Sequence, residues 1–250
     1  MIFDGRPSVI GHRGFGSGEQ GGYRENSIES FLAAADRGVP WVELDARRSS
    51  DGELMLWHDP VTPAGKPILD CTASELAGAG IVRLAELLAV LPAGVGVDID
   101  AKTILADAAD PREQRTHELI ARALTEYRGT RPFLVTSFDP SLPAYLAARR
   151  GETGDVALGL LTEVGFSAGP AVSAAANLGL DAICLHIDSI GAQARRIIDG
   201  AHRAGLEVMT WTPGAALAAE LAHAGVDAVC VDDIPGTQAA LAGIGLASGT

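Results

Sequence analysis

Cysteine is scarce in this chain: Cys71, Cys184 and Cys230 are the whole set, an odd number with no C-x-x-C pair and no histidine at zinc spacing. That argues against both a disulfide framework and a structural zinc site, and leaves Cys184 and Cys230, on expected strands, as small core residues. Positive charge is also short, with 19 Lys and Arg against 32 Asp and Glu and a formal net charge of −13. This is the wrong sign for a nucleic-acid or anionic-membrane binder, so no nucleic-acid partner is expected. A small anion still fits if a metal or a few local cations neutralise it, because net charge describes the surface and not one cleft. No apolar run reaches membrane-spanning length, and the first residues have no basic stretch leading into an apolar one. The expectation is a cytoplasmic protein without stable membrane insertion; nothing in the sequence sets an oligomeric state. Linkers and low-complexity blocks are missing too, so residues 1–250 are read as one domain with a frayed tail over 243–250.

Apolar residues make up 47% of the 250, enough for a large core. Short apolar runs alternate with helix-like stretches, as repeated βα units require. The strand candidates are Ser8 to Gly11, Trp41 to Ala46, Leu54 to His58, Gly94 to Asp100, Pro132 to Phe138, Val156 to Leu161, Asp181 to His186, Glu207 to Thr212 and Asp227 to Asp232. Only seven residues separate the second from the third, too few for a parallel crossover but right for a hairpin turned at Asp51-Gly52. Eight strands remain. With helices between them they close most economically as a (β/α)8 TIM barrel with a β-hairpin extension, an open doubly wound sheet being the alternative. Asn26 is expected to cap a helix over Ser27 to Asp36, with Glu29 completing a capping box. His117, His202 and His223 fall on expected helices and are read as solvent-facing.

In a barrel of this kind reactive side chains stand at the C-terminal strand ends. The first strand runs into His12-Arg13-Gly14, the second carries Glu43 and Asp45, the hairpin returns to His58-Asp59, and the next barrel strand carries Asp98, Asp100 and Lys102. Alternate spacing puts each pair of acids on one strand face. Carboxylates at this density repel one another unless protonated or neutralised, and a hard divalent cation is the ordinary neutraliser; oxygen ligands without cysteine favour Mg²⁺ or Ca²⁺. His12 and His58 beside such a cation suit general acid and base work, while Arg13 and Lys102 add positive charge for a phosphate. Gly16-x-Gly18-x-x-Gly21 matches a dinucleotide fingerprint, but Gly22 to Glu25 intervene before the helix cap. It is read as a flexible loop at the cleft mouth.

The ordered set of motifs resembles the glycerophosphodiester phosphodiesterases nearly end to end. Gly11-His12-Arg13-Gly14 is similar to the family's H-R-G, Glu25-Asn26-Ser27 to its E-N-T, Glu43-x-Asp45 to its E-x-D, and Asp98-Ile99-Asp100-Ala101-Lys102 to its E-I-K. Ser137-Phe138-Asp139, Trp211-Thr212 and Gly225-Val226-Asp227 add to it. The resemblance implies a (β/α)8 barrel that hydrolyses a small-molecule glycerophosphodiester to sn-glycerol 3-phosphate and an alcohol. His12 and His58 would be the acid–base pair, and Glu43, Asp45 and Asp100 would bind one divalent cation; Arg13, Glu25, Lys102 and Trp211 would line the substrate site. The short stretch from Asp59 to Gly80 implies a reduced insertion after the second strand. Asp100 stands where the family has Glu, and Pro213-Gly214 lose the amide of its W-T-V-N segment. Two other outcomes therefore stay open: a weakly active glycerophosphodiester-binding protein, and a phospholipase D-like or cyclising lyase acting on lysophospholipids.

Overall fold

The computed structural model describes residues 1–3 and 7–244. Twelve strands are present among them: β1 (Ser8–Gly11), β2 (Glu19–Gln20), β3 (Tyr23–Arg24), β4 (Trp41–Arg48), β5 (Leu54–Leu56), β6 (Val82–Arg83), β7 (Gly96–Ala101), β8 (Phe133–Ser137), β9 (Ala157–Leu161), β10 (Ala182–His186), β11 (Glu207–Trp211) and β12 (Ala228–Val231). Eight of them, β1, β4 and β7 to β12, pair in parallel. The sheet closes because β1 pairs with β12 along Ser8↔Ala228 to Gly11↔Val231 and with β4 at Ile10↔Trp41 and Gly11↔Val42. Every strand read from the sequence is present, with ends that differ by no more than two residues.

β4 outruns its parallel neighbour and folds back through Asp51-Gly52 into antiparallel β5, on which β6 is laid. This is the expected hairpin with a third strand added. The insertion after it is a 3-10 turn at Ile68–Asp70 and a helix at Ala73–Gly78 capped by a Thr72/Glu75 capping box. The Gly-rich loop after β1 holds the two-stranded β2/β3 hairpin. The helix Ile234–Ala242 after β12 was not foreseen; Gly243 caps it, and residues 245–250 of the expected frayed tail lie outside the described ones.

Strand alternation divides the side chains into an outer and an inner set. Val42, Leu44, Val97, Ile99 and Val135 face the helices in one large buried cluster. Ile10, Trp41, Leu134, Cys184, Met209 and Cys230 belong to a second cluster that fills the barrel, with Phe3 meeting Trp41 edge-on at 5.6 Å. Both cysteines are thus core residues, as expected. Two histidines depart from expectation. His202 donates from Nε2 to the Asp227 carboxylate at 2.7 Å, and His117 Nε2 lies 3.0 Å from Ser141 Oγ, because each faces the loop or strand beneath its helix instead of solvent.

Gly96 opens β7 opposite Trp41, and a Cβ there would stand 2.5–2.7 Å from the indole ring. Trp41 is held by Phe3 and cannot swing away. Gly96→Val is therefore expected to cost about 1–3 kcal/mol through overpacking. A urea midpoint equal to that of the wild type would show that the barrel floor yields more readily than this packing implies.

Candidate active site

The C-terminal ends of β1, β4 and β7, three consecutive staves of the barrel, supply the charged residues. Glu43 pairs in register with Asp98 and Asp45 with Asp100, so the four acids form two stacked rows across β4 and β7. All four are buried. With His12, Arg13, Arg47, His58, Lys102, Thr136, Phe138, Leu161, Glu163, Met209, Trp211 and Cys230 they line a cavity of about 310 Å³. Every residue named from the sequence is here except Glu25. Glu25 stands behind the cavity wall, where its two carboxylate oxygens accept from Arg13 Nη1 at 3.0 and 3.1 Å.

Local backbone explains how β1 delivers two side chains at once. Arg13 adopts φ 51° and Gly14 φ 96°, a turn that aims the Arg13 amide at Glu43 Oε2, 2.8 Å away. A Cβ on Gly14 would meet Ser30 Oγ at 2.5 Å, so glycine is required there by space as well as by φ. Asn26 behaves differently from expectation. It sits buried at φ 55°, donates from Nδ2 to Asp45 Oδ2 at 2.8 Å and accepts from the Asp45 amide at 3.2 Å. Its side chain being spent on Asp45, the cap of helix Ile28–Asp36 falls to Ser27, whose hydroxyl accepts from the Ser30 amide at 3.2 Å.

The charges are tightly interlocked. Lys102 Nζ bridges Asp45 Oδ1, at 2.9 Å, and Asp100 Oδ2, while Arg13 Nε lies 3.2 Å from Asp45 Oδ2. Burial would raise the Asp45 pKa, but Lys102 and Arg13 overcome it and hold the carboxyl below its ordinary value. Glu43 is less well supported: burial and then repulsion from Asp45 outweigh the pull of His12 and Lys102 and push it up to about 7. Burial likewise lifts Asp100, against the pull of Lys102, and lifts Asp98 well above the usual range.

This donor set fits a divalent cation. Glu43, Asp45 and Asp100 each offer an oxygen within 4.8 Å of the others. Asp100 Oδ1 is buried without a hydrogen-bond partner among the described residues. An all-oxygen, strongly anionic cluster still short of positive charge is the environment a hard cation stabilises.

His12 has a partner the sequence reading missed. Its Nδ1 lies 2.7 Å from Asp232 Oδ1, just beyond β12. An ionised carboxylate can only accept, so Nδ1 carries the proton and Nε2 is left facing Glu43 Oε2 at 4.0 Å. Burial would lower the His12 pKa, but the Asp232 hydrogen bond and the charge of Glu43 outweigh it and raise it. In return Asp232, which burial would raise, falls to about 2. Asp232 closes the last expected strand, yet only the pairing Gly11↔Val231 sets it beside His12. His58 lies nearer solvent, its side chain 40% exposed, with Nδ1 2.9 Å from Asp59 Oδ1. Its carbonyl accepts from Arg47 Nε at 2.8 Å. The Trp211 indole Nε1 is buried in the cavity wall and has no hydrogen-bond partner among the described residues.

A family model described as "Glycerophosphoryl diester phosphodiesterase family" matches residues 12–235. A crystal structure of a glycerophosphodiester phosphodiesterase from Thermotoga maritima superposes with TM-score 0.73 at 21% identity, over 92% of this chain and 96% of that one. An Oleispira antarctica phosphodiesterase, solved in complex with the product sn-glycerol-3-phosphate, superposes with TM-score 0.73 at 22% identity, over 94% and 97%. The glycerophosphocholine phosphodiesterase of Schizosaccharomyces pombe is 39% identical over 56 residues. That of Candida albicans is 42% identical over 55 residues. These segments are 21% and 20% of this chain and 5% of each relative, so the chain spans a small part of the curated relatives it matches.

Two measurements follow from the charges. Because Glu43 is held near 7, cation binding at pH 7 should expel protons, seen as a buffer-dependent calorimetric heat that shrinks as the pH rises. A heat independent of buffer would place the cation elsewhere. Asp232→Asn should lower the His12 pKa in an NMR titration, since it removes the charge that opposes desolvation.

Proposed function

The chain belongs to the glycerophosphoryl diester phosphodiesterase family, and we propose that it hydrolyses glycerophosphodiesters to sn-glycerol 3-phosphate and an alcohol. The observation that carries this reading is the cavity in which His12, His58, Arg13 and Lys102 surround the Glu43, Asp45 and Asp100 cluster. Those three carboxylates would hold one divalent cation, Mg²⁺ or Ca²⁺. When bound it supplies Lewis-acid polarisation of the phosphodiester and charge neutralisation.

The chain's own residues do the rest. Asp232 fixes the His12 tautomer so that the Nε2 lone pair points into the cavity, which suits His12 to take a proton from the attacking oxygen. The raised pKa lets it keep that proton. His58, nearer solvent on the cavity rim, is suited to protonate the departing alcohol. Lys102 and Arg13 keep Asp45 anionic and lend positive charge to the phosphate end. Glu25 positions Arg13 from behind.

A phosphorus NMR time course on glycerophosphodiesters with Mg²⁺ or Ca²⁺ tests this. Sn-glycerol 3-phosphate should accumulate and excess chelator should stop it. His12→Ala and His58→Ala should each lower turnover by about 10²–10⁴-fold while cation affinity stays near wild type. Turnover unchanged in chelator or in both variants would overturn the assignment, and a stable cyclic phosphate as the end product would make the enzyme a lyase.

A further inference from the structure

We infer that Arg47 is a positioning residue whose guanidinium ties phosphate binding to the placement of His58, one edge holding the His58 carbonyl while the other takes a non-bridging phosphate oxygen. The inference rests on the hydrolase reading above.

The period of two along β4 places Glu43, Asp45 and Arg47 on one face, and Arg47 lines the cavity with the two acids. Pairing with β7 stops at Ala46↔Ala101, however, and Arg47 pairs only with Met55 of β5. It therefore stands toward the mouth, above the acid rows. His58 lies beyond the end of β5, where the Trp57 amide still donates to the Asp45 carbonyl at 3.1 Å. Past that bond the His58 backbone is held, among the described residues, by Arg47 alone. Its Nε and Nη2 donate to the His58 carbonyl at 2.8 and 2.6 Å.

The other edge of the guanidinium is open. Arg13 is paired with Glu25 and Asp45, and Lys102 with Asp45 and Asp100, whereas no carboxylate lies within ion-pair distance of Arg47 among the described residues. Burial disfavours its charge more than Asp45, Asp100 and Asp59, all beyond that distance, favour it. Arg47 is thus the cavity cation with the least compensation. With Nε and Nη2 spent on a carbonyl, Nη1 and the second Nη2 proton remain for an anion, and a phosphate oxygen suits that fork. An oxygen seated there fixes Arg47. Through the carbonyl bonds it also fixes His58 beside the alcohol oxygen, which takes the His58 proton as its bond to phosphorus breaks.

The test compares the ethyl and 4-nitrophenyl esters of sn-glycerol 3-phosphate in the same Mg²⁺ buffer. Ethoxide needs a proton to leave, and 4-nitrophenolate does not. Arg47→Gln should raise KM about ten-fold for both esters, the scale of one charge-assisted hydrogen bond. It should also lower kcat at least about ten-fold more for the ethyl ester than for the other, a part of what a positioned proton donor contributes. Arg47→Lys keeps the charge but cannot fork between two groups, so it should restore KM while the ethyl kcat stays low. Matching thermal midpoints would verify that both variants fold. A kcat loss equal on the two esters, or a KM that Arg47→Gln leaves unmoved, overturns the inference and leaves the hydrolase reading intact. Should the wild type turn over neither ester, the hydrolase reading fails; calorimetric dissociation constants for sn-glycerol 3-phosphate then decide, and a value for Arg47→Gln equal to that of the wild type overturns the phosphate contact.

Discussion

Four carboxylates on two adjacent strands, removed from water, cannot all remain ionised without compensating charge, and the surroundings of the site answer that constraint. Lys102 bridges two of them, Arg13 and Asn26 hold Asp45 from the other side, and Thr136 donates to Asp98 at 2.9 Å. The left-handed backbone at Arg13 and Asn26 makes sense in the same light, since each bends so that a polar group reaches an acid. The compensation is incomplete at Glu43 and Asp98, a deficit that a bound cation would relieve.

The same charges divide work around the barrel. Neighbouring staves carry the cavity's charged clusters, and the staves across from them line it with Leu161, Met209 and Trp211. Below both lies a dry floor of Ile10, Leu134, Cys184 and Met209, which keeps the polar layer at the mouth and lets loop residues such as Glu163 vary with little effect on the strands.

Much of this was legible in the sequence, for identifiable reasons. Strand alternation at Glu43/Asp45 and Asp98/Asp100 reveals acids on one face because the period of two is local, and Asp51-Gly52 reveals the hairpin because a tight turn needs those residues. What escaped depended on distance in the chain. Asp232 is an ordinary acid until β12 closes against β1, and Asn26 reads as a helix cap until Asp45, nineteen residues on, claims its amide. Glu163 lies in a loop with no pattern of its own. The helix Ile234–Ala242 begins with Ile-Pro-Gly, a start that looks like a turn, although proline in the first turn of a helix leaves no internal bond unmade.

The seam where β1 meets β12 has a consequence for biosynthesis. His12 lies near the beginning of the chain and the carboxylate that orients it lies 220 residues later. On a ribosome making about 5–20 residues per second, the first strand must wait many seconds for the last. Throughout that interval β1 has an open edge where β12 will pair, and His12 has neither its tautomer set nor its charge supported. A nascent chain therefore lacks the His12–Asp232 pair until β12 has been made and has closed against β1.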